Sequence, residues 1–313
     1  MMYLDAPPRL IETKVFSAMP DHFRRKGVRT DWAEANRPGQ PTDCFIEGPS
    51  FDADGNLYIV DIPFGRIFRI APDGQWSLVS EYDGWPNGLK ISADGRILVA
   101  DYRHGIMELD VKAGKVRPVL TARNSESFRG CNDLHLAGNG DIYFTDQGQT
   151  GLHDPTGRVY RLSHEGWLDC LIDTGISPNG LVLDPTEKIL FVAMTRDNAV
   201  WRLPLMKDGG VAKVGRFVST FGASGPDGLT MDKAGRLFVA HASLGHVFVF
   251  APNGKLIARI KSCAGSACTN VAIGGADRDR LYITESVTGT VMVADISEAS
   301  LRGANGSGLW PAR

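Results

Sequence analysis

The sequence predicts an all-β protein: a single six-bladed β-propeller over residues 1–313, with four-stranded antiparallel blades. Three observations predict it. A unit of short apolar strands separated by Asp/Gly turns recurs six times, with starts at Glu47, Asn87, Asn132, Asn179, Asp227 and Asn270, spaced 40, 45, 47, 48 and 43 residues apart. A period in that range with four strands per unit marks propeller blades. Glycine supplies 36 of the 313 residues, above the usual share of about 7%, and is spread along the chain as frequent turns require. Long helical periodicity is absent.

Taken in order, residues 1–43 form an N-terminal arm. Within it ETKVFSAM (Glu12–Met19) is the spare strand expected to close the last blade from outside, because unit six has three clear strands and then the Gly-rich ISEASLRGANGSGLWPAR. DHFRRKGVRTDWAEANRPG holds at most a helical turn and reads as irregular. The sequence leaves open whether it folds over the mouth or mediates pairing between chains. Unit one is EGPSFDADGNLYIVDIPFGRIFRI, unit two NGLKISADGRILVADYRHGIMEL, and unit three NDLHLAGNGDIYFTD with the insertion QGQTGLHDPTG before GRVYRL. Units four to six open with NGLVLDPTEKILFVAM, DGLTMDKAGRLFVAH and NVAIGGADRDRLYITE. DADG, SADG and GNGD are tight hairpin connections. QWSLVSEY and WLDCLIDT follow third strands and read as fourth strands.

Composition narrows the function classes. Apolar residues at 43% and charged residues at 22% describe an ordinary soluble globular chain. No apolar run reaches the length of a membrane span. With 34 basic against 36 acidic residues and no Lys/Arg run, a nucleic-acid partner is not expected. MMYLDAPPRL lacks a basic-then-apolar export signal. The five cysteines, an odd number, are therefore expected as reduced thiols in the cytoplasm. Whether Cys263 and Cys268 pair, and whether the chain is a monomer or homodimer, the sequence leaves open.

The chemistry lies in two columns. Blade-opening residues line the central channel at one mouth, and all six (Glu47, Asn87, Asn132, Asn179, Asp227, Asn270) carry a side-chain oxygen, although Asp and Asn are depleted in strands. Each alone can be a turn cap. As a ring they suit one hard divalent cation, calcium by preference, with magnesium or manganese as alternatives. Zinc is less suited, because no His or Cys lies in the column. About fourteen residues later a second column, Asp61, Asp101, Asp146, Met194, His241 and Glu285, ends each second strand. The three aspartates read as backbone-bonding structural groups, whereas His241 breaks the pattern and is a candidate for the substrate. Phe64, Trp85, Tyr102, Arg103, His104 and Phe128 are placed on mouth loops, where they can shape specificity or simply pack.

EGPSF (47–51), CNDL (131–134), SPNGL (177–181) and GPDGL (225–229) resemble, in order and spacing, the senescence-marker-protein-30/gluconolactonase family of regucalcin-like propellers. The resemblance covers roughly residues 44–295. It implies a metal held by Glu47, Asn179 and Asp227, with Asp227 as general base and Asn132 facing the substrate. It further implies a lactonase, in which water activated by the ion opens a small sugar-type lactone. Arg129, Asn87 and His241 complete the expected substrate side. Many relatives carry an arginine two residues before the asparagine at 132, where it meets sugar hydroxyls; here that place is Gly130, which departs from a simple sugar lactone. The rival readings are a metal-dependent phosphotriesterase or aryl-esterase, and a non-enzymatic propeller with a structural calcium. No G-x-S-x-G, H-E-x-x-H or Walker A motif offers another chemistry.

Overall fold

The computed structural model describes residues 7–302. The last part of the Gly-rich tail, 303–313, lies outside them. Six sheets form a closed ring, each inner strand packing against the inner strands of its two neighbours. The inner strands are Ile46–Phe51, Pro86–Ile91, Cys131–Leu136, Pro178–Leu183, Pro226–Met231 and Cys268–Gly274, opening blades one to six. Every pairing inside a blade is antiparallel.

The second strands, such as Leu57–Asp61, Ile97–Asp101 and Ile142–Asp146, are buried throughout. Each is covered by a neighbouring blade on both faces, so its sequence is a continuous apolar run instead of an alternation. The core accordingly lies between blades. One cluster joins Phe238, Val249, Ile283 and Met292 of blades five and six; another joins Val60, Ile67, Val99 and Leu109 of blades one and two.

The arm contributes two strands, β1 (Arg9–Glu12) and β2 (Lys14–Ala18). β2 pairs antiparallel with Thr290–Asp295 and forms the outer strand of blade six. β1 adds a fifth, parallel strand outside Leu256–Lys261 of blade five. Thr13, between them, is buried and donates Oγ1–H to the Lys261 carbonyl at 2.8 Å. One short stretch of chain thus ties the two blades that flank the closure.

The rest of the arm is more regular than its composition suggested. Helix α1 (Asp31–Asn36) is capped by Thr30, whose side chain accepts the Ala33 N–H at 3.2 Å. Asp31 and Glu34 place negative charge in its first turn, as the helix dipole favours. Trp32 is buried against Phe45 and anchors it to blade one. All five cysteines are free thiols, with Cys263 exposed and Cys268 buried, so they do not pair. No helix among the described residues is long and apolar enough to cross a membrane.

Candidate functional site

Each inner strand carries a register shift near its start. The irregularities fall between Glu47 and Ser50, Pro86 and Gly88, Cys131 and Leu134, Pro178 and Leu181, Pro226 and Leu229, and Cys268 and Asn270. A bulge re-aims the side chain it contains, and six of them turn one polar residue per blade toward the axis.

The pairing corrects the ring in one place. Ile46, Pro86, Cys131, Pro178, Pro226 and Cys268 sit opposite the second-column residues Asp61, Asp101, Asp146, Met194, His241 and Glu285. The next residue is Glu47, Asn87, Asn132, Asn179 or Asp227 in five blades, but Thr269 in the sixth. Asn270 lies one layer deeper, level with Gly48, Gly88, Asp133, Gly180 and Gly228. Motif similarity placed an amide at the head of unit six, whereas strand register assigns that place to a threonine.

The deeper layer is glycine in four blades because there is no room for a side chain. A Cβ on Gly228 would stand 2.6 Å from Asn270 Cα, and one on Gly88 2.6 Å from Asp133 Cα. Only blades three and six, which face each other across the ring, carry side chains here. Asn270 Nδ2 donates to Glu47 Oε2 at 2.8 Å and approaches Asp133 Oδ2 at 3.4 Å. Asp133 Oδ1 accepts the Leu134 N–H at 2.8 Å and faces Lys90 Nζ at 3.5 Å.

Glu47, Asp133 and Asp227 therefore form an acidic centre. Burial, with the charge of Asp133, pushes Glu47 up to about 7, although hydrogen bonds from Gly48 and Asn270 oppose the shift. Burial and the charges of Glu47 and Asp133 push Asp227 well above the usual carboxylate range; a hydrogen bond with Asn179 and the charge of Arg196 pull the other way. Neither Glu47 nor Asp227 forms an ion pair among the described residues. Asn132 donates Nδ2–H to Gln147 Oε1 at 2.9 Å, and Gln147 donates to Ser177 Oγ at 2.9 Å. This pins Asn132, whose Oδ1 accepts no hydrogen bond among the described residues. No group of three or more His, Cys, Asp or Glu side chains among the described residues is arranged to hold a metal by itself. The donor set is two carboxylates with the amide oxygens of Asn179 and Asn132. It is all oxygen and carries negative charge that no basic side chain fully offsets, so it fits a hard divalent cation.

A cavity of about 520 Å³ opens at the mouth of blades three and four; none of the acidic centre's side chains lines it, but Gln147, which does, is the hydrogen-bonded partner of Asn132. Its walls come from the blade-three insertion (Gln147–His153), from Ser177, from Arg196 and from Asn36 at the end of α1. Asn36 thus brings the arm to the rim of this cavity. A second cavity of about 400 Å³ lies at the far end of the axis, lined by Phe51, Leu183, Ile273, Lys90 and His135 among others. Along the inner strands the Asp133–Asn270 pair stands between the two.

Like the ring residues, Arg129 and His241 are not among the residues lining the mouth cavity. Arg129 bonds Thr156 and faces Asp154 at 3.6 Å, clasping the insertion from outside the cavity. At 130 the Tyr102 ring takes the space of a side chain: a Cβ on Gly130 would stand 2.5 Å from Tyr102 Cζ, so the ring would have to move to admit one. His241 is fully buried, edge-on to Phe248 at 5.8 Å, and its burial lowers its pKa. Asn87 does stand in the ring. The second-column carboxylates serve backbone: Asp61 accepts the Phe45 N–H and pairs with Arg66, Asp101 accepts the Arg103 and His104 N–H groups, and Asp146 accepts that of Gly130. On the rim, Phe128 packs edge-on to Phe144 and Tyr160, while Arg103 stacks over Trp85. Sequence reading passed over Asp133, Gln147 and Arg196. Asp133 was detectable as the one acid where other units have glycine. Gln147 and Arg196 lie on turns with no repeat position to mark them.

Comparison with known proteins bears on this geometry. The family described as SMP-30/Gluconolactonase/LRE-like region matches residues 45–287. A gluconolactonase of Zymomonas mobilis is 31% identical over 262 residues, covering 73% of this chain and 72% of that protein. A lactonase, drp35, of Staphylococcus epidermidis is 29% identical over 228 residues, covering 69% of each. Among solved structures, a gluconolactonase from Xanthomonas campestris superposes with a TM-score of 0.72 at 22% identity, covering 90% of this chain and 98% of its own. A calcium-binding protein, regucalcin, from Agrobacterium tumefaciens gives a TM-score of 0.72 at 20% identity, covering 92% and 95%. These structural likenesses concern the fold.

Proposed function

Because this chain belongs to the SMP-30/gluconolactonase/LRE-like family, we propose that it is a lactonase that hydrolyses a small lactone. The observation that carries the reading is the convergence of Glu47, Asn179 and Asp227, with Asn132 bonded to Gln147 in the wall of a cavity of about 520 Å³. Named lactonases among its relatives support it.

In the reaction the oxygen of water adds to the lactone carbonyl carbon, the ring C–O bond breaks, and the departing alkoxide takes up a proton to give a hydroxy acid. Asp227 is the base. Its carboxyl is held in the ring by a hydrogen bond with Asn179, where it can take the proton that water loses. Asn132, held by Gln147, is oriented toward the substrate. Asn36 of α1 and the insertion form walls of the cavity. A divalent cation held by Glu47, Asn179 and Asp227 would supply Lewis-acid polarisation of the carbonyl. The oxygen donors and the calcium-binding description of the Agrobacterium relative support calcium as that ion. The five free thiols suit a reducing compartment such as the cytoplasm.

The test is a lactone panel with acid release followed by a pH indicator, alongside elemental analysis of the purified protein. Wild type should release acid from at least one lactone and carry about one divalent ion per chain. Glu47→Ala and Asp227→Ala should lose both. Full activity in either variant would refute the assignment.

A further inference from the structure

The mouth cavity contains one arginine and no acidic residue. Arg196 is the sole Lys or Arg among its described lining residues, and no Asp or Glu stands with it. The guanidinium is exposed and forms no hydrogen bond or ion pair among the described residues. Other arginines on this face are occupied: Arg103 pairs with Asp83 at 2.6 Å and Arg129 faces Asp154. The acid adjacent in sequence is also taken, since Asp197 accepts from Trp201 Nε1 at 2.8 Å and from Arg216 Nη2 at 2.6 Å.

The backbone that carries Arg196 is firmly held. It lies on a 3-10 turn, Thr195–Asp197. The Thr195 N–H donates to the Ser177 carbonyl at 3.0 Å, and Thr195 Oγ1–H donates to the Pro226 carbonyl at 2.8 Å. The turn is thus strapped to the starts of the two strands that bear Asn179 and Asp227. The rest of the wall mixes Leu152 and His153 with Asn36, Gln147, Gln149 and Ser177, the last four offering hydrogen bonds of the kind hydroxyl groups accept and donate. The cavity therefore has a cation at one side, carried on a firmly held turn, and amides around it, of which Gln147 is bonded to Asn132 of the ring.

We propose that Arg196 recognises an oxyanion substituent, a carboxylate or phosphate, on a polyhydroxylated lactone. The inference rests on the lactonase reading and gives it a substrate class: acidic lactones in preference to neutral ones. A planar guanidinium matches such a group with two parallel N–H bonds. With no side chain at Gly130, where Tyr102 fills the space, Arg196 is the one guanidinium among the cavity's described lining residues.

The experiment compares kcat/KM for a neutral aldonolactone, its carboxylate-bearing counterpart and its phosphorylated counterpart, in wild type and Arg196→Gln. Calorimetry of the ring-opened mono- and dicarboxylates runs alongside, with circular dichroism to verify folding. Wild type should favour an anionic lactone, and the preference should collapse roughly 10- to 100-fold in the variant, the range for losing one charge-assisted pair. The two anionic arms show which group is read. Equal loss on neutral and anionic lactones would mean that Arg196 acts only through Asp227, and would overturn the inference. If no lactone is hydrolysed, the lactonase reading fails, and calorimetry still decides the inference. Tighter dicarboxylate binding that Arg196→Gln abolishes sustains it, and indifference to charge overturns it.

Discussion

Replacing Glu47 with glutamine should stabilise the ion-free protein at alkaline pH while destroying its activity. Glu47 is 4% exposed and has no basic partner among the described residues. Its carboxyl rises from the ordinary 4.5 to about 7, chiefly through burial and then through Asp133. At about 1.4 kcal/mol per tenfold change in proton affinity, keeping it ionised in the folded state costs about 3 kcal/mol. The folded value lies above the unfolded one, so this stability is fully present below pH 4.5 and is lost as pH rises through about 7. Asp227 moves in the same direction and adds to the slope. The assay is urea unfolding followed by tryptophan fluorescence, in chelator, at pH 5 and pH 8.5. Between those conditions wild type should lose about 3 kcal/mol more than Glu47→Gln, because the amide removes the titration and relieves Asp227. Excess calcium should restore wild type at pH 8.5 by mass action and leave the variant largely unmoved. Equal pH dependence in the two proteins would refute the reasoning, since Glu47 would then ionise without penalty.

Three further outcomes follow from the packing. Gly228→Ala pushes a methyl toward Asn270 Cα at 2.6 Å; unfolding titrations should show a loss of about 1–3 kcal/mol, with reduced turnover because the Asp227 backbone must shift. Arg66→Ala leaves the buried Asp61 carboxylate without its cation, a loss of about 3–5 kcal/mol that a thermal scan should register, and the double variant with Asp61→Asn should recover part of it. Trp32→Ala removes the anchor of α1; limited proteolysis should cut faster within residues 20–43 and KM should rise as the Asn36 wall is lost, with the propeller's own unfolding midpoint little changed.

The propeller was legible because its physics is local and repeated. Hairpin turns such as DADG and the continuous apolar second strands state their structure within about twenty-five residues, and six copies average out the noise. The closing strand was legible for a different reason: a ring cannot end on three strands, and Glu12–Met19 was the spare segment available. β1 was not, because nothing in RLIE distinguishes a fifth parallel strand from a tail; its partner lies some 250 residues away. α1 was undervalued because a single turn has little periodicity, although Thr30 and the acids after it were a readable cap. Glu47, Asn179 and Asp227 could be read from motif positions. Arg129 and His241 could not be judged that way, since sequence proximity says nothing about which side of a bulge a side chain leaves from. Register also decides between Thr269 and Asn270, and it depends on what lies opposite, which a linear motif does not record.

The two-layer axis explains why so few acids create so strained an electrostatic centre. Had all six deeper positions been glycine, Glu47 and Asp227 would face each other across open, hydratable space. Asp133 and Asn270 fill that space instead, from opposite blades, and only Asn270 brings a donor to Glu47. Asp133 adds its own charge, which both Glu47 and Asp227 register, and Lys90 reaches it from the far side of the axis. The centre thereby gathers three buried acids around one donor amide. A cation entering there offsets repulsion that the fold has already accepted, so its binding and the stability of the ring are linked. Asp133→Asn should then weaken calcium binding and raise ion-free stability at pH 8.5 together, measured on the same samples. A change in only one of the two would separate what the geometry couples.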